Sequence, residues 1–316
     1  MKIFKILSFP FFGFKMSVNE IYTNYIKGPA LDVFSNPKNL IFGSTVHFLS
    51  SIFILFSFLS LFVFFVILGS TITAESNFLI DIFKNNLNLT IDVLLIISGA
   101  VFGFFFIFSI LLTFLINGYW LKTIKYTMNS QNIPDWTGVL GLLKYGVIYT
   151  IGLFIIGIIF QSPFYMILLA QIVLNLPDLG ILSNLPYVCS FLSWVYIPLG
   201  TLNYIEKNKF LALFNVKKSF KRYSKEYINY LVASFLLIGI YSIFELLIGY
   251  LIELVIDKVV ANPNLITDPN FLSWQIFWIP ALYVNSFVCF TIFLWLSRGI
   301  GTYYNISTGR NDVLTK

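Results

Sequence analysis

This chain has little of what most active sites are built from. Its 316 residues include one histidine, His47, and two cysteines, Cys189 and Cys289, without CxxC spacing. A disulfide framework or a thiolate metal site needs more Cys or partnering His, so each cysteine reads as a small residue in an apolar stretch. No HExxH, GxSxG or Walker A pattern occurs, and no paired carboxylates are placed to share a site. An enzyme is therefore not expected, and no cofactor or metal is assigned. Charge is scarce too: Asp, Glu, Lys and Arg make up 11% of the chain, against roughly 25% in an ordinary soluble domain. A soluble fold would lack polar surface.

What the sequence has instead is apolar bulk, with 58% hydrophobic residues, 36 Phe, 18 Tyr and a mean hydropathy of +0.85. A spanning helix needs about 20 mostly apolar residues to cross about 30 Å of hydrocarbon. Blocks that meet this lie at 46–68, 93–116, 139–160, 228–256 and 271–296. The region from Phe160 to Glu206 holds one charge, Asp178, and is broken by Pro163, Pro177, Pro186 and Pro198. Residues 164–176 read as a re-entrant or interfacial segment, and 185–202 as a further span. The expected fold is all-α: a polytopic integral membrane bundle of about six transmembrane helices. Residues 1–39 form an N-terminal cytoplasmic or interfacial segment, 40–304 a single membrane domain and 305–316 a cytoplasmic tail. The apolar run Ile6 to Phe14 has no small-x-small cleavage site after it, so a cleaved leader is not expected.

Charge sets the orientation, because cytoplasmic loops carry an excess of Lys and Arg. Of 20 basic residues, 18 fall in the N-terminal stretch, the second-to-third and fourth-to-fifth connections and the C-terminus. Lys84 and Lys258 are left for the outer loops. Six crossings with both termini in the cytoplasm satisfy this partition, and an odd number would not. The expected location is the cell membrane. Nucleic acid is not an expected partner, since the basic residues follow topology and form no single groove.

Between the fourth and fifth spans, Leu213, Val216, Phe220, Tyr223 and Tyr227 recur at spacings of one helical face. Lys217, Lys218, Lys221, Arg222 and Lys225 project from the other. This reads as a basic amphipathic helix in the inner interface, its amines among anionic lipid headgroups. Membrane lipids are thus the expected partners; a protein partner or an oligomer stays open.

Inside the bilayer the informative residue is Glu245, about halfway along 228–256, where a carboxylate costs some 2.5 kcal/mol or more. Glu253, two turns on, shares its face. A protonated carboxyl bonded between helices and a substrate or proton site both remain open. Gly99-x-x-x-Gly103 permits close helix packing, and His47 reads as a lone interfacial histidine. Three helices also end alike, at Asn117-Gly118-Tyr119, Gly200 to Tyr204 and Gly301 to Asn305. A threefold hairpin repeat and independent helix stops both account for that.

The residues Gly118-Tyr119-Trp120-Leu121-Lys122, then Ile133-Pro134-Asp135-Trp136, then Leu143-Lys144-Tyr145-Gly146 resemble the core motif of a prokaryotic, mostly archaeal, membrane family, domain of unknown function 4013. Asp135 replaces the usual Glu. Asn203-Tyr204, Ala212 to Asn215, Glu226 to Ile228 and Asn36 to Leu40 are similar to further parts of that family. The resemblance implies a multi-span membrane domain of unassigned role and brings no catalytic residues. Function is read as a structural or accessory membrane domain; the alternative is a transporter, channel or lipid-handling protein with Glu245 in its polar pathway.

The map predicts labelling behaviour. A cysteine placed at position 85 should react with an impermeant maleimide from outside, and one at position 316 only after permeabilisation; outside access to 316 contradicts the topology.

Overall fold

The computed structural model describes residues 10–11, 14–15, 17–73, 90–174, 184–261 and 278–309. Pro10–Phe11 and Phe14–Lys15 form a short antiparallel ladder. Helix α1 (Val18–Ile21), a π-helical stretch (Tyr22–Lys27) and α2 (Gly28–Phe34) lead into the bundle. The bundle comprises α3 (Pro37–Thr73), α4 (Ile91–Met128), α5 (Val139–Leu174), α6 (Leu185–Lys207), α8 (Lys225–Ala261) and α9 (Trp278–Ser307). A 3₁₀ turn (Phe210–Phe214) and the short α7 (Val216–Lys221) join α6 to α8.

Among the described residues, six helices are long and apolar enough to cross a membrane. The protein is a multi-pass helical membrane protein. Most of these helices outrun the hydrocarbon: the 38 residues of α4 extend about 57 Å at 1.5 Å per residue. The surplus lies mainly at the end where the basic loops gather, and there it packs into a cap.

Two expectations are corrected. Residues 164–174 are no re-entrant segment but the continuation of α5, with Pro163 inside it. Proline cannot donate to the carbonyl four residues back, so Ile159 O loses its helical partner. Ser162 Oγ donates to that oxygen at 2.7 Å. A neighbouring hydroxyl that satisfies the freed carbonyl is what lets a proline stay within a membrane helix.

The basic stretch after α6 is likewise not one amphipathic helix. Asn215 interrupts it, accepting from the Lys218 amide at 2.9 Å and so capping α7. Leu213 and Tyr227 are buried on the 3₁₀ turn and α8, while Val216 and Phe220 stay exposed on α7. The five residues expected on one helical face therefore lie on the 3₁₀ turn, α7, the link after it (Tyr223) and α8.

The bundle is three hairpins: α3 with α4, α5 with α6, and α8 with α9. The second helix of each carries a buried asparagine at the basic end, and each asparagine reaches out of its own helix. Asn117 Nδ2 donates to Thr150 Oγ1 of α5 at 2.8 Å and Asn203 Nδ2 to Ser219 Oγ of α7 at 2.9 Å, while Asn305 Nδ2 donates to Thr127 O of α4 at 2.7 Å. The links run in cyclic order, from the first hairpin to the second, on to the segment that opens the third, and back to the first.

Close backbone approach accompanies these bonds. A Cβ on Gly118 would overlap the backbone of Leu142, and one on Gly146 would overlap the Phe114 carbonyl. Gly200 and Gly301 meet Leu213 O and Thr127 in the same manner. Gly103, by contrast, faces nothing within 4 Å and Gly99 only the Phe64 ring at 3.9 Å. The tight crossing is thus α4 on α5, not the anticipated Gly99-x-x-x-Gly103 pair.

Gly146→Ala should destabilise the bundle by about 1–3 kcal/mol, the range for overpacking a close contact. Gly157→Ala on the same helix, with open space around its Cβ, should be neutral or stabilising by up to ~1 kcal/mol. Thermal unfolding in detergent, compared between the two variants, checks this; equal effects would refute the tight crossing.

Candidate functional site

The residues that carry the family resemblance come together where α4 hands over to α5. The Tyr119 ring stacks on Trp136 with centroids 3.9 Å apart and planes 6° from parallel. Its hydroxyl donates to Pro134 O at 2.9 Å, and Trp136 Nε1 donates to Asn39 O at 3.2 Å. Asn39 Nδ2 in turn donates to Pro134 O at 3.1 Å and to Asp135 Oδ1 at 3.2 Å. Lys122 Nζ donates to Asp135 O and Thr137 O at 2.9 and 3.0 Å. With Gly118 and Gly146 at the crossing below, Tyr119, Lys122, Pro134, Asp135 and Trp136 fold the turn and, through Asn39, pin it to the start of α3.

A second cluster holds the basic end together through charge. Arg298 of α9, its side chain only 5% exposed, pairs with Asp32 of α2. Its Nη1 also donates to Thr127 Oγ1 and Gln131 O, both at 2.8 Å. Glu206 at the end of α6 takes Lys218 and Arg222 together, the latter at 2.9 Å. Arg222 Nε donates to Asn203 Oδ1 at 3.0 Å, and its carbonyl accepts from the Tyr303 hydroxyl. Lys225 pairs with Glu20 at 3.5 Å. Close by, burial first, and the Glu226 carboxylate after it, pushes the Tyr25 phenol above its ordinary value.

Of the five residues expected to meet anionic headgroups, Lys218, Arg222 and Lys225 are therefore engaged with the chain's own carboxylates. Lys217 and Lys221 stand exposed on α7. Sequence periodicity assigned the faces without the carboxylates that meet them. The signal for the pairing was Glu206, an acid standing just ahead of that run of basic residues.

Glu245 lies on the outer face of α8. It is exposed, and among the described residues it makes no hydrogen bond. Glu245 stands about 30 Å along the axis of α8, whose 37 residues extend about 56 Å, so it lies near the middle of that helix. Ser242, Glu245, Leu246, Gly249, Tyr250 and Glu253 line one open groove of about 580 Å³. Expected on one face, Glu245 and Glu253 do share it.

Sequence reasoning missed the polar line behind that groove. His47 Nε2 lies 3.5 Å from Cys289 Sγ, so the histidine packs against α9 and is no isolated interfacial residue. Tyr241, Asn285 and Glu245 lie near Cys289, with Glu245 within electrostatic reach of both Tyr241 and Cys289. His47 Nδ1 and Asn285 Oδ1 are buried without a partner among the described residues. No group of three or more His, Cys, Asp or Glu among those residues is placed to hold a metal ion.

The Arg298 pair makes an asymmetric prediction. Asp32→Asn leaves a buried guanidinium uncompensated and should cost about 3 kcal/mol, whereas Asp32→Asn with Arg298→Met removes both charges and should cost less. Asp32 itself is 44% exposed on its side chain, so Arg298→Met alone leaves a carboxylate that water can reach. Unfolding free energies of the three variants decide it; a double variant worse than Asp32→Asn would refute the account.

Comparison with known proteins bears on the same residues. Two uncharacterized proteins of Methanocaldococcus jannaschii are each 26% identical to this chain: one over 220 residues, covering 67% of this chain and 75% of its own length, the other over 252, covering 73% and 84%. No solved structure matches. Residues 101–252, from the first third of α4 to the Glu245 groove, match the family described as Protein of unknown function (DUF4013), the family that the Gly118-Tyr119 and Pro134-Asp135-Trp136 motifs resemble.

Proposed function

We propose that this protein is a structural or accessory membrane domain, without catalysis of its own, that assembles laterally through the Glu245 face of α8. The supporting observation is the groove itself. A carboxylate, two small residues and a second carboxylate share an outward face, and the positions of Gly239 and Gly249 meet nothing within 4 Å among the described residues. In lipid, helix association depends on close packing at small residues and on interhelical hydrogen bonds. This face offers both and uses neither internally.

The occupant we assign is a second copy of the chain. A parallel α8 pair would bring Gly249 onto Gly249 and let one protonated Glu245 donate to the other. The orientation follows the basic cap, which belongs in the cytoplasm with both termini. Exposed Lys217 and Lys221 then meet anionic headgroups.

The polar line from His47 through Cys289 and Tyr241 toward Glu245 supports a second reading, a carrier that moves protons or a small solute. The two part on experiment. With Cys189 and Cys289 replaced, Gly249→Cys should be captured as a dimer by a short bifunctional maleimide in membranes, and Glu245→Leu in that background should lower the yield. A monomer throughout, together with proton flux in proteoliposomes that Glu245→Gln abolishes, would sink the assembly reading and support the carrier.

A further inference from the structure

At the basic end, α4, the first turn of α5 and the end of α6 enclose a cavity of about 320 Å³, within the size range of ligand pockets. Leu121, Leu142 and Tyr204 form an apolar floor, and Lys122, Lys125 and Tyr145 stand among its walls. No acidic side chain lines it among the described residues. Lys122 stands within electrostatic reach of Asp135, whereas Lys125, unlike Lys218, Arg222, Lys225 and Arg298, pairs with no carboxylate among the described residues.

We propose that this cavity binds the phosphate headgroup of an anionic membrane lipid, with Lys125 as the principal charge and the apolar floor receiving the start of an acyl chain. Lys122 is occupied by the carbonyls of Asp135 and Thr137, so it shapes the wall. Lys125, three residues on and therefore on the same helical face, is exposed. Gly138, at φ +75°, turns the chain so that the start of α5 borders the cavity, and the positive end of a long helix favours an anion there. Gly141 leaves the mouth open, since a Cβ on it would meet nothing within 4 Å. The floor separates a lipid from a free anion. A soluble phosphate gains nothing from Leu121 and Leu142, whereas an amphiphile buries apolar surface on them.

The test is lipid retention by the detergent-purified protein in native mass spectrometry with added phosphatidylglycerol. Lys125→Gln should weaken retention about tenfold, the effect of losing one charge-assisted hydrogen bond. Gly141→Leu should block it by filling the cavity, and its melting temperature should match that of the unaltered protein. Lys27→Gln, which removes an exposed amine outside the cavity, should bind as the unaltered protein does. Undiminished retention by both Lys125→Gln and Gly141→Leu overturns the site. Equal retention of phosphatidylcholine overturns the headgroup assignment, and displacement by inorganic phosphate overturns the lipid assignment. None of these readouts depends on whether the chain dimerises through α8.

Discussion

Where α4 crosses α5 the two backbones touch, because Gly118 and Gly146 put no side chain between them. The organisation of the basic end depends on that contact. Lipid tails are as apolar as leucine, so burying Leu and Phe between helices gains little, and close packing with interhelical hydrogen bonds must supply the association. The crossing brings Tyr119 under Trp136 and lets Trp136 reach Asn39, which ties down the start of α3. Phe290 of α9 packs beside the same two rings and lies where a Cβ on Gly43 would go. One glycine pair thus aligns four helices, and the asparagine links extend the alignment to α6 and α7.

This concentrates order at one end of the molecule. Tyr119, Tyr227, Tyr303, Asn203 and Asn305 are fully buried there, while only 6% of the most apolar stretch of α5 is buried. The same division separates the polar groups. Arg298 and Glu206 sit in the cap, where several partners share their charge, and the hydrocarbon level carries mostly serine and threonine hydroxyls turned back onto their own helices. Ser57 donating to Phe53 O at 2.7 Å is typical. Such bonds satisfy a hydroxyl without committing it to a neighbour, so they contribute little to holding hairpins together. The cap carries that role.

The six spans were legible in the sequence because hydrocarbon tolerates no exposed backbone, so each crossing must appear as a long apolar run. Their lengths were not legible. Residues such as Lys122, Lys125 and Tyr227 are polar yet helical, since they continue a span into the cap, and hydropathy reads them as loop. Pro163 misled for a related reason: a proline announces a break, and only the neighbouring Ser162 hydroxyl shows that the break is repaired. The cap itself could not be read. Asp32 and Arg298 are 266 residues apart, and His47 and Cys289 are 242 apart. Periodicity describes one element at a time and is silent on which elements meet. The family motif gave the right place for a different reason, since its residues lie within one turn and its flanks.

Helix α8 stands at the edge of this bundle. Its main neighbour is α9, and its first residues meet the N-terminal helices, so the cap fixes its base while most of its length faces outward. A helix held in that way needs no small or charged residues on its outer side for the fold. Leucine and isoleucine, as at the exposed Ile240, Ile243 and Leu247, would suit lipid better. Glu245 therefore costs insertion energy, and the positions of Gly239 and Gly249 meet nothing within 4 Å among the described residues. Such a face fits the proposed packing of a second copy of the chain, because small residues let two helix backbones approach closely in lipid.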